Sequence, residues 1–207
     1  LVRTAPDIHG IAARDVGLKL VGPLPAAEGV NYRIMYGSKE TWQADKNPYD
    51  KTMGGVTWRG STGLLIDAYV DWESRPGPYD RSTVQFLVGK KTEQFTLGLE
   101  YTNQDRGEDP DLELATLMGV VKLDGPWSLM AQLHRLFKPS VKGNDIAYIP
   151  FDPTAKATNL VAGVEYRFNQ HFTISPNIVW THYGVNELGV KPDDDVHVRL
   201  TFYVNFE

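Results

Sequence analysis

Residues 195–206 read DVHVRLTFYVNF. Val196, Val198, Leu200, Phe202, Val204 and Phe206 fall on one side of an extended chain. His197, Arg199, Thr201, Tyr203 and Asn205 fall on the other. Strict alternation over about a dozen residues marks a strand with one apolar and one polar face. A soluble strand usually runs about five or six residues. A run of about ten suits a strand tilted across a bilayer. On this stretch alone two environments stay open: the edge of a soluble sheet, or a membrane wall.

Ten more strands precede it. The period of two predicts strands from Asp15 to about Val21, over 30–37, around Val56 and Trp58 to Gly60, and over 64–73. It predicts further strands around 84–88, over 95–102, 114–123, around 129–134, over 160–168 and over 172–181. Residues 114–123 are apolar on both sides; Leu117, Gly119, Val121 and Leu123 are placed on the apolar face. Pro176 removes a ladder donor, and a bulge is expected there. The connections alternate between short turns such as GSTG at 60–63 and long polar loops such as 38–51 and 138–157. Soluble sandwiches do not alternate in this way. Membrane barrels do, with short turns on one side and long loops on the other. About ten residues at ~3.3 Å each, tilted by ~40°, span ~25 Å, the height of a lipid-facing band. Aromatic residues sit near strand ends, among them Trp58, Trp72, Tyr101, Tyr166, Phe168, Phe172, Trp180 and Phe202. Such rings favour the membrane interface, where an apolar body and a polar tip are both satisfied.

Composition sets further bounds. With 207 residues the chain holds one sizeable domain. Its formal charge of −5 argues against wholesale nucleic-acid binding. It has no cysteine, hence no disulfide and no thiolate metal site. No segment approaches 18 apolar residues, which leaves only strands to cross a membrane. The start, LVRTAPDIHG, has no basic region followed by an apolar run, as a mature, truncated or cytoplasmic chain would lack.

An aromatic-rich alternating strand at the C-terminus resembles the closing strand of bacterial outer-membrane β-barrels, although Glu207 follows Phe206 here. The segments RDVGLKLVGPL (14–24), VNYRIMYG (30–37), FTLGLEYT (95–102) and GVEYRFNQHFTISPN (163–177) extend the likeness. Together they resemble Gram-negative porins, in the broad group that includes the phosphate-selective porins. The resemblance implies an all-β, transmembrane, antiparallel up-and-down β-barrel in the bacterial outer membrane. It implies a water-filled lumen, contact with lipid and lipopolysaccharide, a homotrimer and no enzymatic activity. Eleven strands do not close such a barrel, whose strand number is even. Residues 1–207 are therefore expected to be one barrel domain lacking its N-terminal strands, the C-terminal portion of a 16- or 18-stranded barrel.

With the apolar face toward lipid, the other face lines a lumen. The expected basic lining is Lys19, Arg33, Arg59, Lys122, Arg167 and Arg199. The expected acidic lining is Asp15, Asp67, Asp71, Glu73, Glu100 and Glu165. The signs balance, so no anion selectivity follows. The basic residues either form one side of a transverse field, with Arg33, Arg59, Arg167 and Arg199 foremost, or pair with carboxylates across strands. No GxSxG, HExxH or P-loop occurs; GKKT at 89–92 lacks the upstream glycine. His182 points to the apolar side without an assignable serine partner. Asp109, Asp111 and Glu113, and Asp193 to Asp195, form acidic loop clusters able to bind Ca²⁺ or simply to be solvated. The expected function is a passive diffusion channel for small hydrophilic solutes or ions, without catalysis or cofactor. The alternatives are a soluble all-β carbohydrate-binding module and a structural outer-membrane barrel with a plugged lumen.

Overall fold

A computed structural model describes residues 6, 9, 16–38, 50–141, 143–146 and 149–205. Eleven strands form one antiparallel sheet in which each strand pairs with its sequence neighbours. They are β1 (Val16–Pro23), β2 (Val30–Ser38), β3 (Asp50–Arg59), β4 (Leu64–Glu73), β5 (Arg81–Lys91) and β6 (Phe95–Asp105). β7 (Leu112–Lys122), β8 (Trp127–Leu136), β9 (Ala157–Arg167), β10 (Phe172–Tyr183) and β11 (Asp195–Val204) complete it. A single helical turn at Gly143–Asp145 interrupts the loop between β8 and β9. Among the described residues β1 and β11 are not paired with each other.

The turn chemistry fits this up-and-down order. Short connections at 60–63, 92–94, 123–126 and 168–171 lie at one end of the sheet. Gly63 and Gly125 take the left-handed backbone conformation that such tight reversals need, with φ of 79° and 70°. A Cβ on Gly63 would meet the Lys91 carbonyl oxygen at 2.0 Å. The β8–β9 and β10–β11 connections, which are longer, leave and re-enter the sheet at the opposite end.

Several strands begin earlier than their sequence pattern, and β3 and β5 do so at charged residues. β3 starts at Asp50 and β5 at Arg81, inside segments read as polar loops. Their first inward residues are charged and find partners across the sheet, so the strand continues without an apolar signal. The expected bulge at Pro176 is absent. Ile174 faces Tyr166 and Asn177 faces Gly163 in one unbroken register, so no residue is inserted. The ladder lapses on the β9 side at Ser175 and Pro176, where proline has no N–H to offer. On the other side Pro176 opposes Leu200 normally.

The two faces are inverted relative to a soluble sheet. Leu18, Ile34, Val70, Val84, Leu99, Leu117, Val198 and Leu200 are exposed, Val198 by 83%. Thr83, Thr102, Gln104, Thr116, Asn159 and Thr181 on the opposite face are buried, Thr102 at 0%. Burying a Val or Leu side chain is worth about 1.5–3 kcal/mol. A continuous face of them left exposed therefore calls for an apolar medium. The polar face is the concave one, since a single layer buries a face only by curling toward it. Its side chains satisfy one another across neighbouring strands: Gln104 Nε2 donates to Thr83 Oγ1 at 2.9 Å, and Asn159 Nδ2 to Thr181 Oγ1 at 2.8 Å.

Aromatic residues edge the apolar face. At the short-turn end a chain of rings runs from Trp127 to Tyr166 (4.5 Å), Phe168 (4.5 Å), Phe172 (5.4 Å) and Phe202 (6.3 Å). At the loop end Trp180 Nε1 donates to Asp194 Oδ2 at 3.2 Å, and the Tyr101 hydroxyl to Glu113 Oε1 at 3.0 Å. Trp180 and Tyr101 keep their bodies on the apolar face and turn their polar tips to these carboxylates.

Candidate functional site

The long connection between β8 and β9 turns inward. Ile149, Phe151 and Ala155 join Leu112 and Leu114 of β7, Leu136 of β8, Val161 of β9, and Val179 and Tyr183 of β10 in one buried cluster. This explains why the start of β7 is apolar on both faces: one meets the outside, the other this loop. The Phe151 backbone N–H donates to the Gly143 carbonyl at 3.1 Å. The Asp152 N–H donates to the Tyr183 hydroxyl at 3.1 Å, which itself donates to Asp195 Oδ2 at 2.6 Å. His9 also reaches this cluster, its ring 5.0 Å from that of Phe151 and its Nδ1 3.2 Å from Ser140 Oγ. Arg106 Nη2 donates to the His9 carbonyl at 3.0 Å. The strand pattern of the sequence could not place this loop, although Ile146, Ile149 and Phe151 are odd residues for a solvated one.

The expected lining residues separate into two groups. From the middle of the concave face to its loop end, acids and bases pair. Arg33 of β2 reaches across β3 to Asp67 of β4 in a two-point contact of 2.6 and 2.7 Å. Thr57 lies between them, accepting from Arg33 Nη1 at 2.8 Å and donating to the same carboxylate. The crossing is possible because Gly55 lies beneath the guanidinium; a Cβ there would stand 2.6 Å from Arg33 Cζ. Tyr69 flanks the pair, its ring centroid 5.7 Å from Arg33 Cζ, and donates to Asp71 Oδ2 at 2.7 Å. Asp71 in turn meets Lys51 Nζ at 3.2 Å, both side chains almost fully buried. Glu73 pairs with Arg75. Arg33 therefore belongs to a cross-strand pair, the plainer of its two expected roles. Lys51, Arg75 and Arg81 were missed in the sequence because they border loops.

The remaining basic residues lie lower. Arg59, Lys122 and Arg167 are the exposed last residues of β3, β7 and β9, and Lys91 holds the same place on β5. Four strands thus end in a cation at the short-turn mouth. Lys19 on β1 opposes Met35 and is exposed. Arg199 opposes Asn177. Glu165 opposes Ser128, one inward position above Arg167. Glu100 is buried opposite Leu87. Asp15 lies outside the described residues. A count by face hides this segregation along the strand axis, which a count by strand end would have found.

The acidic loop clusters are dispersed among partners. Asp109 meets Arg81 at 3.4 Å, and Asp111 meets Lys138 at 2.6 Å. Asp194 meets His182 at 2.9 Å and Asp195 meets Tyr183. Among the described residues no group of three or more acidic or histidine side chains is arranged to hold a metal ion. His182 lies on the convex face as expected, and its partner is Asp194, not a serine.

Outside the strands, pKa shifts follow these contacts. Lys138 holds the Asp111 carboxyl below its ordinary value. Burial, and then the charges of His134 and Arg106, push His9 down to about 3. A lowered histidine favours the neutral folded form, so its contribution is whole above pH 6.5 and erodes as pH falls from there toward 3. A lowered carboxyl contributes above its ordinary value of 3.8 and loses that contribution as pH falls through its folded value. Acidification from pH 7 is therefore expected to loosen the inward loop in two stages. Amide hydrogen exchange at residues 149–155, corrected for its intrinsic pH dependence, should accelerate below about pH 6.5. A Gly55→Val variant should expel the Arg33 guanidinium from its crossing and cost about 2 kcal/mol, the worth of a charge-assisted contact. A lowered urea midpoint would report it.

An outward apolar face, an inward polar face, aromatic rims and an inward loop make this sheet the wall of an up-and-down β-barrel that its eleven strands leave open. Among solved structures, a mutant of Rh. blastica porin has this fold, with a TM-score of 0.51 and 17% identity, over 92% of this chain. The chain spans only about half of that neighbour, 55% of its length. The likeness is one of fold. No protein-family model matches the chain, and no curated protein matches it significantly.

Proposed function

We propose that this chain forms most of the wall of a bacterial outer-membrane channel that passes small hydrophilic solutes or ions by passive diffusion. The inversion of the faces carries this reading: apolar residues are exposed where lipid would lie, and polar residues are buried where a lumen would lie. In this role Arg33 and Asp67 line the middle of the lumen, and Lys51, Asp71 and Glu73 its upper part, as fixed pairs. Arg59, Lys122 and Arg167 ring its lower mouth, with Lys19, Arg199, Glu100 and Glu165 between. The inward loop acts as the constriction. Transport of this kind uses no cofactor and no catalytic group.

Further strands complete the barrel. β1 and β11 run in the same direction, so pairing them directly would be parallel. Antiparallel closure takes an odd number of added strands, as a barrel of about 16 or 18 provides. Lipopolysaccharide against the aromatic rim and a trimer of barrels complete the proposal. The test is conductance across a planar bilayer, together with migration on SDS gels before and after boiling. The channel reading expects stepwise conductance and a band that shifts on heating, and it expects removal of 141–153 to raise the conductance. Insertion without conductance would favour a plugged barrel, for which the dry cluster around Phe151 is the specific support. A protein that dissolves without detergent and shows no heat shift would contradict both.

A further inference from the structure

A lumen is expected to be polar, yet the lower concave face between β4 and β7 is not. Leu65, Leu87 and Met118 are half-buried there and point inward. Between them Gly89 of β5 faces Gly98 of β6, which leaves the wall bare of side chains. The result is a pocket of about 380 Å³, within the ~300–1,000 Å³ of small-molecule sites. Its floor is shaped rather than merely empty. Met118 leans over Gly98, where a Cβ would lie 3.2 Å from its Cγ. A Cβ on Gly89 would meet nothing closer than the Leu97 carbonyl oxygen, at 3.4 Å.

The polar groups of the pocket divide by height. Arg59 and Lys91 line it at the short-turn mouth and both are exposed; the Arg59 charge also reaches Asp67, one inward position above Leu65. Glu100 lies one inward position above Gly98, buried, with its carboxylate 3.5 Å from Thr102 Oγ1. A ligand entering this space meets cations and Leu65 first, and at its upper limit Leu87, which stands level with the carboxylates of Asp67 and Glu100 on either side. We propose that the pocket binds a small carboxylic acid with an apolar body, its carboxylate at Arg59 and Lys91 and its body against Leu65, Leu87 and Met118. Glu100 repels the reverse orientation. The assignment rests on the channel reading in that the pocket faces the lumen. It adds a solute class distinct from small hydrophilic molecules.

The test uses the full chain in nanodiscs of zwitterionic lipid, with benzoate as probe and saturation-transfer NMR as readout. Benzyl alcohol supplies the apolar body without the charge, and acetate the charge without the body. Benzoate should bind saturably, and each control about tenfold more weakly or not at all. Gly89→Leu fills the pocket without meeting the wall and should abolish binding. Arg59→Gln with Lys91→Gln should weaken it about tenfold. Both variants should keep the heat shift on SDS gels, which separates loss of the site from loss of the fold. Equal benzoate signals in wild type and Gly89→Leu would mean partition into lipid and overturn the proposal. No binding to a wild type that conducts would overturn it while leaving the channel standing, and would mean that a chain segment or second copy fills the pocket. Binding without conductance would keep the pocket and refute the channel.

Discussion

Replacing Leu99 by Arg is expected to cost about 2–4 kcal/mol of folding stability in a bilayer. Leu99 lies midway along β6, on the convex face, 55% exposed. In a soluble sheet a half-exposed leucine of this kind is nearly free to change, within about 0.5 kcal/mol. The difference between the two environments is thus several-fold, and its sign is set by the medium alone. Urea titration of protein refolded into phosphatidylcholine vesicles measures it. The neighbouring residue serves as control: Glu100 points to the concave face, and Glu100→Gln should leave the lipid contact untouched.

Replacing Phe151 by Ala should cost about 3–5 kcal/mol, the usual penalty for emptying an aromatic from a packed site. Phe151 is 2% exposed and packs both in the cluster against the wall and on the His9 ring. The loss should be local. Hydrogen exchange at 143–155 should rise by orders of magnitude while that of β4 and β5, which do not touch the cluster, stays unchanged. In the channel reading the same variant should raise and broaden the single-channel conductance. A conductance equal to wild type would remove the loop from the constriction.

Much of this architecture was legible in the sequence because a strand that separates two media advertises both. Val196 to Val204 alternates without an error, and so does Phe95 to Thr102, while Leu64 to Glu73 is broken only at Leu65. The order of strands follows from the alternation of turns and loops. What was not legible depends on register. That Arg33 meets Asp67 requires β2, β3 and β4 to be aligned, and the glycine that permits it, Gly55, has no signal of its own. Lys51 and Arg81 were hidden by adjoining loops, where a charged inward residue resembles a solvated one. The bulge expected at Pro176 proved unnecessary, because an interrupted ladder on one side suffices. The sequence marks 138–157 only as a long polar loop; its apolar residues and the double-sided apolar start of β7 are two halves of one contact.

The central claim is that the convex face meets lipid and the concave face does not. The chain has no cysteine, so single cysteines can be introduced along β6 at 97–102 and spin-labelled in vesicles. The account predicts period-two behaviour: labels at 97, 99 and 101 collide with oxygen dissolved in the bilayer, while labels at 98, 100 and 102 are shielded from it or meet a water-soluble relaxant. Uniform access to the aqueous reagent, with no alternation, would contradict it.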